Sequence, residues 1–117
     1  INPMLAKMQV HGGMSMGIGY GLSEQLLVDS KNGRVLNGTL LDYKLPTMMD
    51  APDLAVDFVE LDDPTGPYGN KALGEPPAIP VAPAIRNAVL HATGVAVNEL
   101  PLSPQRCFEA FKAAGLL

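Results

Sequence analysis

Residues 2–27 read NPMLAKMQVHGGMSMGIGYGLSEQLL, and this stretch governs how the chain begins to fold. Asn2 is a favoured N-cap and Pro3 a favoured first helical residue. Met4, Leu5, Met8, Leu22, Leu26 and Leu27 keep helical spacing, which predicts a helix from Pro3 to Leu27. The five glycines from Gly12 to Gly21 oppose it, each by about 1 kcal/mol relative to alanine. Something must compensate. Gly13, Gly17 and Gly21 are four apart, so they fall on one slowly drifting stripe, with Gln9 one turn earlier. A helix face without side chains suits tight packing against another helix or the close approach of a flat ligand. Small-residue stripes also occur in membrane dimers. Here His11, Ser15, Ser23 and Glu24 interrupt the apolar run, which excludes a membrane span. Gly17-Ile18-Gly19-Tyr20-Gly21 has the wrong spacing for a dinucleotide fingerprint, and no strand precedes it.

Further along, Leu26-Leu27-Val28 and Arg34-Val35-Leu36 flank a turn containing Asn32-Gly33, a strong hairpin signal. Thr39 to Leu45 reads as extended, and Leu54 to Leu61 alternates as a strand would. A second helix is predicted from Ala82 to Thr93 with Gly94 as its C-cap. A short strand, Val95 to Val97, follows. Ser103 then caps a last helix from Pro104 to about Ala114, with Phe108 and Phe111 expected to face the core. The expected fold class is α+β: a glycine-rich N-terminal helix, a small mostly antiparallel sheet and two C-terminal helices.

Gly74-Glu75-Pro76-Pro77 carries the chemistry. Gly74 has no side chain, so a neighbour can approach the backbone closely. Pro76 restricts Glu75 to extended or turn geometry, and Pro77 does the same to Pro76. Neither proline offers an N–H to a sheet or helix interior. A carboxylate held in such a loop is either a turn ornament or a placed catalytic group. Lys71, four residues back, reaches Glu75 if the loop is compact and is otherwise a solvated cation.

The 117 residues suit one domain. A net charge of −4 with scattered basic residues excludes a nucleic-acid binder. The single cysteine, Cys107, builds neither an internal disulfide nor a thiolate metal site and reads as a small core residue. No secretory signal opens the chain, so a reducing, cytoplasmic location is expected. His11 and His91 lie far apart, and the aspartates from Asp50 to Asp63 lack calcium-loop spacing, so no metal ligand set is expected in this chain. Ser15 and Ser23 lack a nucleophile-elbow context. The opening Ile1-Asn2-Pro3 lacks a starting methionine, which suggests a piece of a longer protein.

Several blocks occur together and in order. They are Gln9-Val10-His11-Gly12-Gly13, Met16-Gly17-Ile18-Gly19-Tyr20-Gly21-Leu22, Asp42-Tyr43-Lys44-Leu45-Pro46-Thr47, Gly66-Pro67-Tyr68-Gly69-Asn70-Lys71 and Gly74-Glu75-Pro76-Pro77. Together they resemble the xanthine dehydrogenase/aldehyde oxidase family of molybdenum hydroxylases, at the C-terminal end of the molybdopterin-binding large subunit. The resemblance implies that residues 1–117 are the C-terminal segment of a molybdenum cofactor-binding domain. It implies that Glu75 is the catalytic base in hydroxylation of a purine-like heterocycle or aldehyde with water-derived oxygen. Gln9 and Gly74 would lie against the cofactor. The 2Fe–2S clusters and FAD would sit on other domains or subunits. The expected partners are the rest of the large subunit, the FAD subunit, the iron–sulfur subunit and a small-molecule substrate. An exposed glycine stripe would also favour self-association. Asn70 and Leu73 depart from the family's commonest choices near the glutamate. The isolated segment is expected to be inactive. The alternative is a non-catalytic assembly domain whose glycine stripe docks other subunits.

Overall fold

The computed structural model describes residues 2–117. Its first helix, α1, spans Pro3–Leu22. The Asn2 side chain accepts the Leu5 N–H at 3.1 Å and Pro3 opens the helix, as its sequence predicts. The helix stops five residues short of the expected Leu27. The Ser23 and Glu24 N–H groups both turn back to the Gly19 carbonyl at 2.9 Å, and Ser23 Oγ donates to the Lys44 carbonyl. Beyond that point the buried Asn37 side chain takes over. It accepts from Leu27 N–H at 2.8 Å and donates to Gln25 O at 2.7 Å, which holds 25–27 out of the helix.

Helix α2 spans Val81–Thr93 and ends on Gly94, whose φ of 72° is the left-handed cap predicted for a glycine. Helix α3 spans Pro104–Ala113, with the Ser103 side chain accepting from Arg106 N–H at 3.3 Å. Between α1 and α2 lie two single 3₁₀ turns, Pro67–Gly69 and Pro76–Ala78.

The expected sheet is not there, so the fold is helical rather than α+β. Among the described residues the strand pairing amounts to one isolated antiparallel bridge, Val28 to Val35. The hairpin turn is where Asn32-Gly33 predicts it, with Gly33 at φ 72° and Asp29 N–H bonded to Arg34 O at 2.8 Å. No ladder grows from it. Thr39 to Leu45 folds into a turn, with the Asp42 and Tyr43 N–H groups both on Thr39 O. Leu54 to Leu61 and Val95 to Val97 belong to no strand. A strand needs a neighbour's N–H and C=O groups, and the alternating pattern does not supply one.

The packed centre is where α1 meets the Pro76–Ala78 turn and α2. The stripe glycines Gly13, Gly17 and Gly21 are buried there, against Pro77, Ala78, Val81 and Ala82. A β-carbon on Gly17 would lie 2.5 Å from Val81 Cβ and 2.9 Å from the Ala78 carbonyl oxygen. This close approach explains why α1 tolerates the three stripe glycines, which serve here as packing positions. The stripe is covered from within, so it offers no surface for self-association. The large core side chains are few: Val97 and Leu102 are buried, along with Ala82, and Leu102 N–H bonds to Gly21 O at 2.7 Å. Phe108, expected inside, is exposed, because α3 packs on neither α1 nor α2.

The rest of the apolar surface is open. Met48 and Met49 are 94% and 93% exposed, and Leu40 and Leu41 are nearly as bare. The accessible surface is 8887 Å², against about 6,100 Å² for a compact protein of this mass. The radius of gyration is 17.9 Å, where about 13 Å is usual for this length.

Candidate functional site

The Glu75 segment is a tight turn. Glu75 has φ −89° and ψ −25°, which is the turn alternative rather than the extended one. Ala78 N–H bonds to Glu75 O at 2.9 Å, and Ile79 N–H to Pro76 O at 3.3 Å. Pro76 and Pro77 contribute no donors, so the turn cannot be stabilised much further by its own backbone.

Helix α1 supplies the remaining restraints. Gln9 Nε2 donates to Gly74 O at 3.3 Å, immediately before the glutamate. Tyr20 Oη donates to Ala78 O at 2.8 Å, at the last residue of the turn. Gly13 lies between them along the helix, and a β-carbon there would be 2.9 Å from Pro77 Cβ. One helix face thus holds the backbone on both sides of Glu75. The Glu75 carboxylate itself is exposed and accepts no hydrogen bond from the described residues. The ion pair considered with Lys71 is not made. Among the described residues the salt bridge found is Arg106–Glu99 at 3.5 Å, away from this site.

Gln9, Gly74 and Glu75 are therefore brought together, 65 residues apart in sequence at the Gln9–Gly74 contact. The Gln9 amide oxygen is left free by that bond. A β-carbon on Gly12 or Gly74 would meet nothing within 4 Å. Gly12 stands one turn from Gln9 on α1. Two bare backbone positions, one amide oxygen and one carboxylate therefore face open space. No group of three or more histidine, cysteine, aspartate or glutamate side chains could hold a metal ion among the described residues. A metal reaching this site would have to arrive on a larger cofactor, with the chain providing hydrogen-bonding groups. Two acceptor groups beside bare backbone suit the hydrogen-bond donors on the edge of a flat cofactor.

Two contacts were not legible as functional in the sequence. Tyr20 is one, and its only sequence signal is a phenol placed among glycines. His11 is the other: its Nε2 lies 3.2 Å from Leu54 O, which ties α1 to the extended segment and requires the N–H on Nε2.

The molybdopterin cofactor-binding domain family matches residues 1–52. Over all 117 residues the chain is 60% identical to the putative xanthine dehydrogenase molybdenum-binding subunit XdhA of Escherichia coli (strain K12), of which it spans 16%. It is 38% identical to the aldehyde oxidoreductase molybdenum-binding subunit PaoC of the same organism, over 88% of this chain and 14% of that protein. Among solved structures, quinoline 2-oxidoreductase from Pseudomonas putida 86 superposes with a TM-score of 0.87 at 34% identity, covering 96% of this chain and 14% of that one. CO dehydrogenase from Oligotropha carboxidovorans also gives 0.87, at 28% identity, covering 99% and 15%. The chain belongs to the molybdopterin-binding large subunits of the xanthine dehydrogenase/aldehyde oxidase family, the molybdenum hydroxylases. It spans 16% of the length of its XdhA relative. No helix among the described residues is long and apolar enough to cross a membrane.

Proposed function

We propose that this chain is the C-terminal segment of a cofactor-binding domain in a molybdenum hydroxylase acting on a purine-like heterocycle or an aldehyde. Glu75 is its general base, and Gln9 and Gly74 lie against the cofactor. The single observation that carries this reading is the clamp on the Gly74–Ala78 backbone, which leaves the Glu75 carboxylate unpaired at a fixed place. A turn ornament needs no such restraint from a distant helix.

When bound, the molybdenum cofactor would supply the redox chemistry, accepting the electron pair removed from the substrate carbon. The chain's part is proton transfer and placement. A Glu75 Oε takes the proton released as water-derived oxygen is delivered to an electron-poor carbon. The clamp restrains the backbone that carries the carboxylate, and placement within reach of the proton is the first requirement of a general base. The free amide oxygen of Gln9 is available to a donor on the cofactor edge. Gly12 and Gly74 allow the close approach of a flat group. With Cys107 as its one cysteine, the chain cannot supply the ligands for a 2Fe–2S cluster. In this reading the clusters and FAD belong to other domains or subunits, which are its partners with the rest of the large subunit. The location is cytoplasmic.

The test is Glu75→Gln in the complete enzyme. Turnover is expected to fall by about 10²–10⁴-fold, with molybdenum content unchanged by elemental mass spectrometry. Unchanged turnover would remove Glu75 from the chemistry.

A further inference from the structure

Beyond the base itself, the structure shows how its backbone is fixed from one side by a single phenol. Tyr20 Oη donates to Ala78 O at 2.8 Å, and the N–H of the same residue, Ala78, donates to Glu75 O at 2.9 Å. Two hydrogen bonds thus link the Tyr20 hydroxyl to the Glu75 backbone. The Ala78 carbonyl is also seated over Gly17, 2.9 Å from where a β-carbon would stand. A side chain at position 17 would force a shift here or at Val81, whose Cβ would stand closer still, at 2.5 Å. Pro76 and Pro77 remove the donors that would otherwise stabilise the turn from within, so an external donor has more to do here than in an ordinary loop.

We propose that Tyr20 is a positioning residue for the reaction, acting through Ala78 on Glu75; this rests on Glu75 being the general base. In this role Tyr20 acts through the Ala78 backbone rather than on the reacting atoms. Its hydroxyl sets where the turn lies on α1, and so where the carboxylate points. Loss of the hydroxyl removes that bond and lets the turn shift on the helix. Small misplacements of a catalytic group lower the rate of the chemical step without weakening substrate binding in proportion.

The experiment is a double-mutant cycle in the complete enzyme with Tyr20→Phe, Glu75→Gln and both together, following single-turnover reduction by substrate over hours where turnover is slow. Tyr20→Phe is expected to lower kcat about tenfold with KM within about twofold, and with melting temperature and molybdenum content unchanged. In the Glu75→Gln background the same change is expected to have no further effect, since there is no base left to misplace. An equal loss in both backgrounds, or a change in melting temperature alone, would overturn the proposal in favour of a structural role. Full activity of Tyr20→Phe beside a crippled Glu75→Gln would overturn the positioning role and leave the base reading intact. Full activity of Glu75→Gln would instead overturn the reading beneath it, and this inference with it.

Discussion

The inward face of α1 and the segment from Leu40 to Leu61 are both rich in apolar or small residues, yet they meet opposite fates. The helix face is covered within the chain: Gly13, Gly17 and Gly21 lie against Pro77, Val81 and Ala82. The segment is bare, with Leu40, Leu41, Met48, Met49 and Val59 all strongly exposed. The first region is organised around the glutamate turn. The second is tied to the first by isolated hydrogen bonds, Ser23 Oγ to Lys44 O and His11 Nε2 to Leu54 O, and leaves most of its large apolar side chains in the open. The difference teaches that the internal packing of these residues serves placement of Glu75, and that their stability must come largely from surface covered by something else. The roughly 2,800 Å² of surface beyond that of a compact protein is comparable to a large permanent interface.

The largest expected effect breaks the comparison outright. Expressed alone, the 117 residues should aggregate or populate an unfolded ensemble, and should bind no molybdenum. The complete enzyme should hold the metal. Chemical-shift dispersion and elemental mass spectrometry read the two cases, and a monomeric, well-folded, isolated chain would contradict it.

Gly17→Leu attacks the covered face. Its β-carbon would meet Val81 Cβ and the Ala78 carbonyl, and overpacking at such a contact costs about 3 kcal/mol. We expect a lower melting temperature and loss of turnover together. Gly12→Ala, on the open face of the same helix, should instead stabilise by up to about 1 kcal/mol. If its β-carbon meets a bound cofactor, molybdenum content will fall while the melting temperature of the cofactor-free protein rises.

The hairpin lies between the two regions and depends on one side chain rather than a ladder. Asn37→Ala would leave Leu27 N–H and Gln25 O without their partner. A loss of about 1–3 kcal/mol is expected, read as faster amide exchange at Leu27. Protection unchanged at that amide would show that the single Val28–Val35 bridge suffices.

The smallest effect is on acid stability. The Thr47 backbone N–H, then its hydroxyl, holds Asp50 below the ordinary carboxylate value of 3.8. The Thr65 hydroxyl, then its N–H, does the same for Asp63. Depressed carboxylates contribute stability above the ordinary value, and lose it as pH falls through the lowered one. Tyr43 has the opposite sign. Its hydrogen bond to Glu24 raises it above 10.0, so its contribution is present below that value and fades as pH climbs through the raised one. Thr47→Val should move the acid midpoint upward slightly. Asp50 is exposed, so a large shift from Thr47→Val would point to burial by a neighbour in the complete enzyme.

The helices were legible because their signals are local. Asn2-Pro3, Ser103-Pro104 and Gly94 mark ends that the backbone adopts wherever the rest of the chain goes. The strands were not legible as absent, because alternation from Leu54 to Leu61 describes a surface and not its partner. Gln9 and Glu75 were found as residue types worth attention, but their connection through Gly74 O depends on a fold that crosses 65 positions. Tyr20 gave almost no signal, since a tyrosine within a helix is ordinary until its hydroxyl finds a carbonyl.

By itself, then, the sequence determined three capped helices, a bare stripe on the first of them, and a carboxylate confined between a glycine and two prolines. Those follow from steric limits and hydrogen-bond deficits that act within a few residues. Only the tertiary structure decided that the stripe seats the glutamate turn and that Tyr20 and Gln9 hold its backbone. It also left the intervening segment unpaired, because such choices depend on which distant surfaces meet.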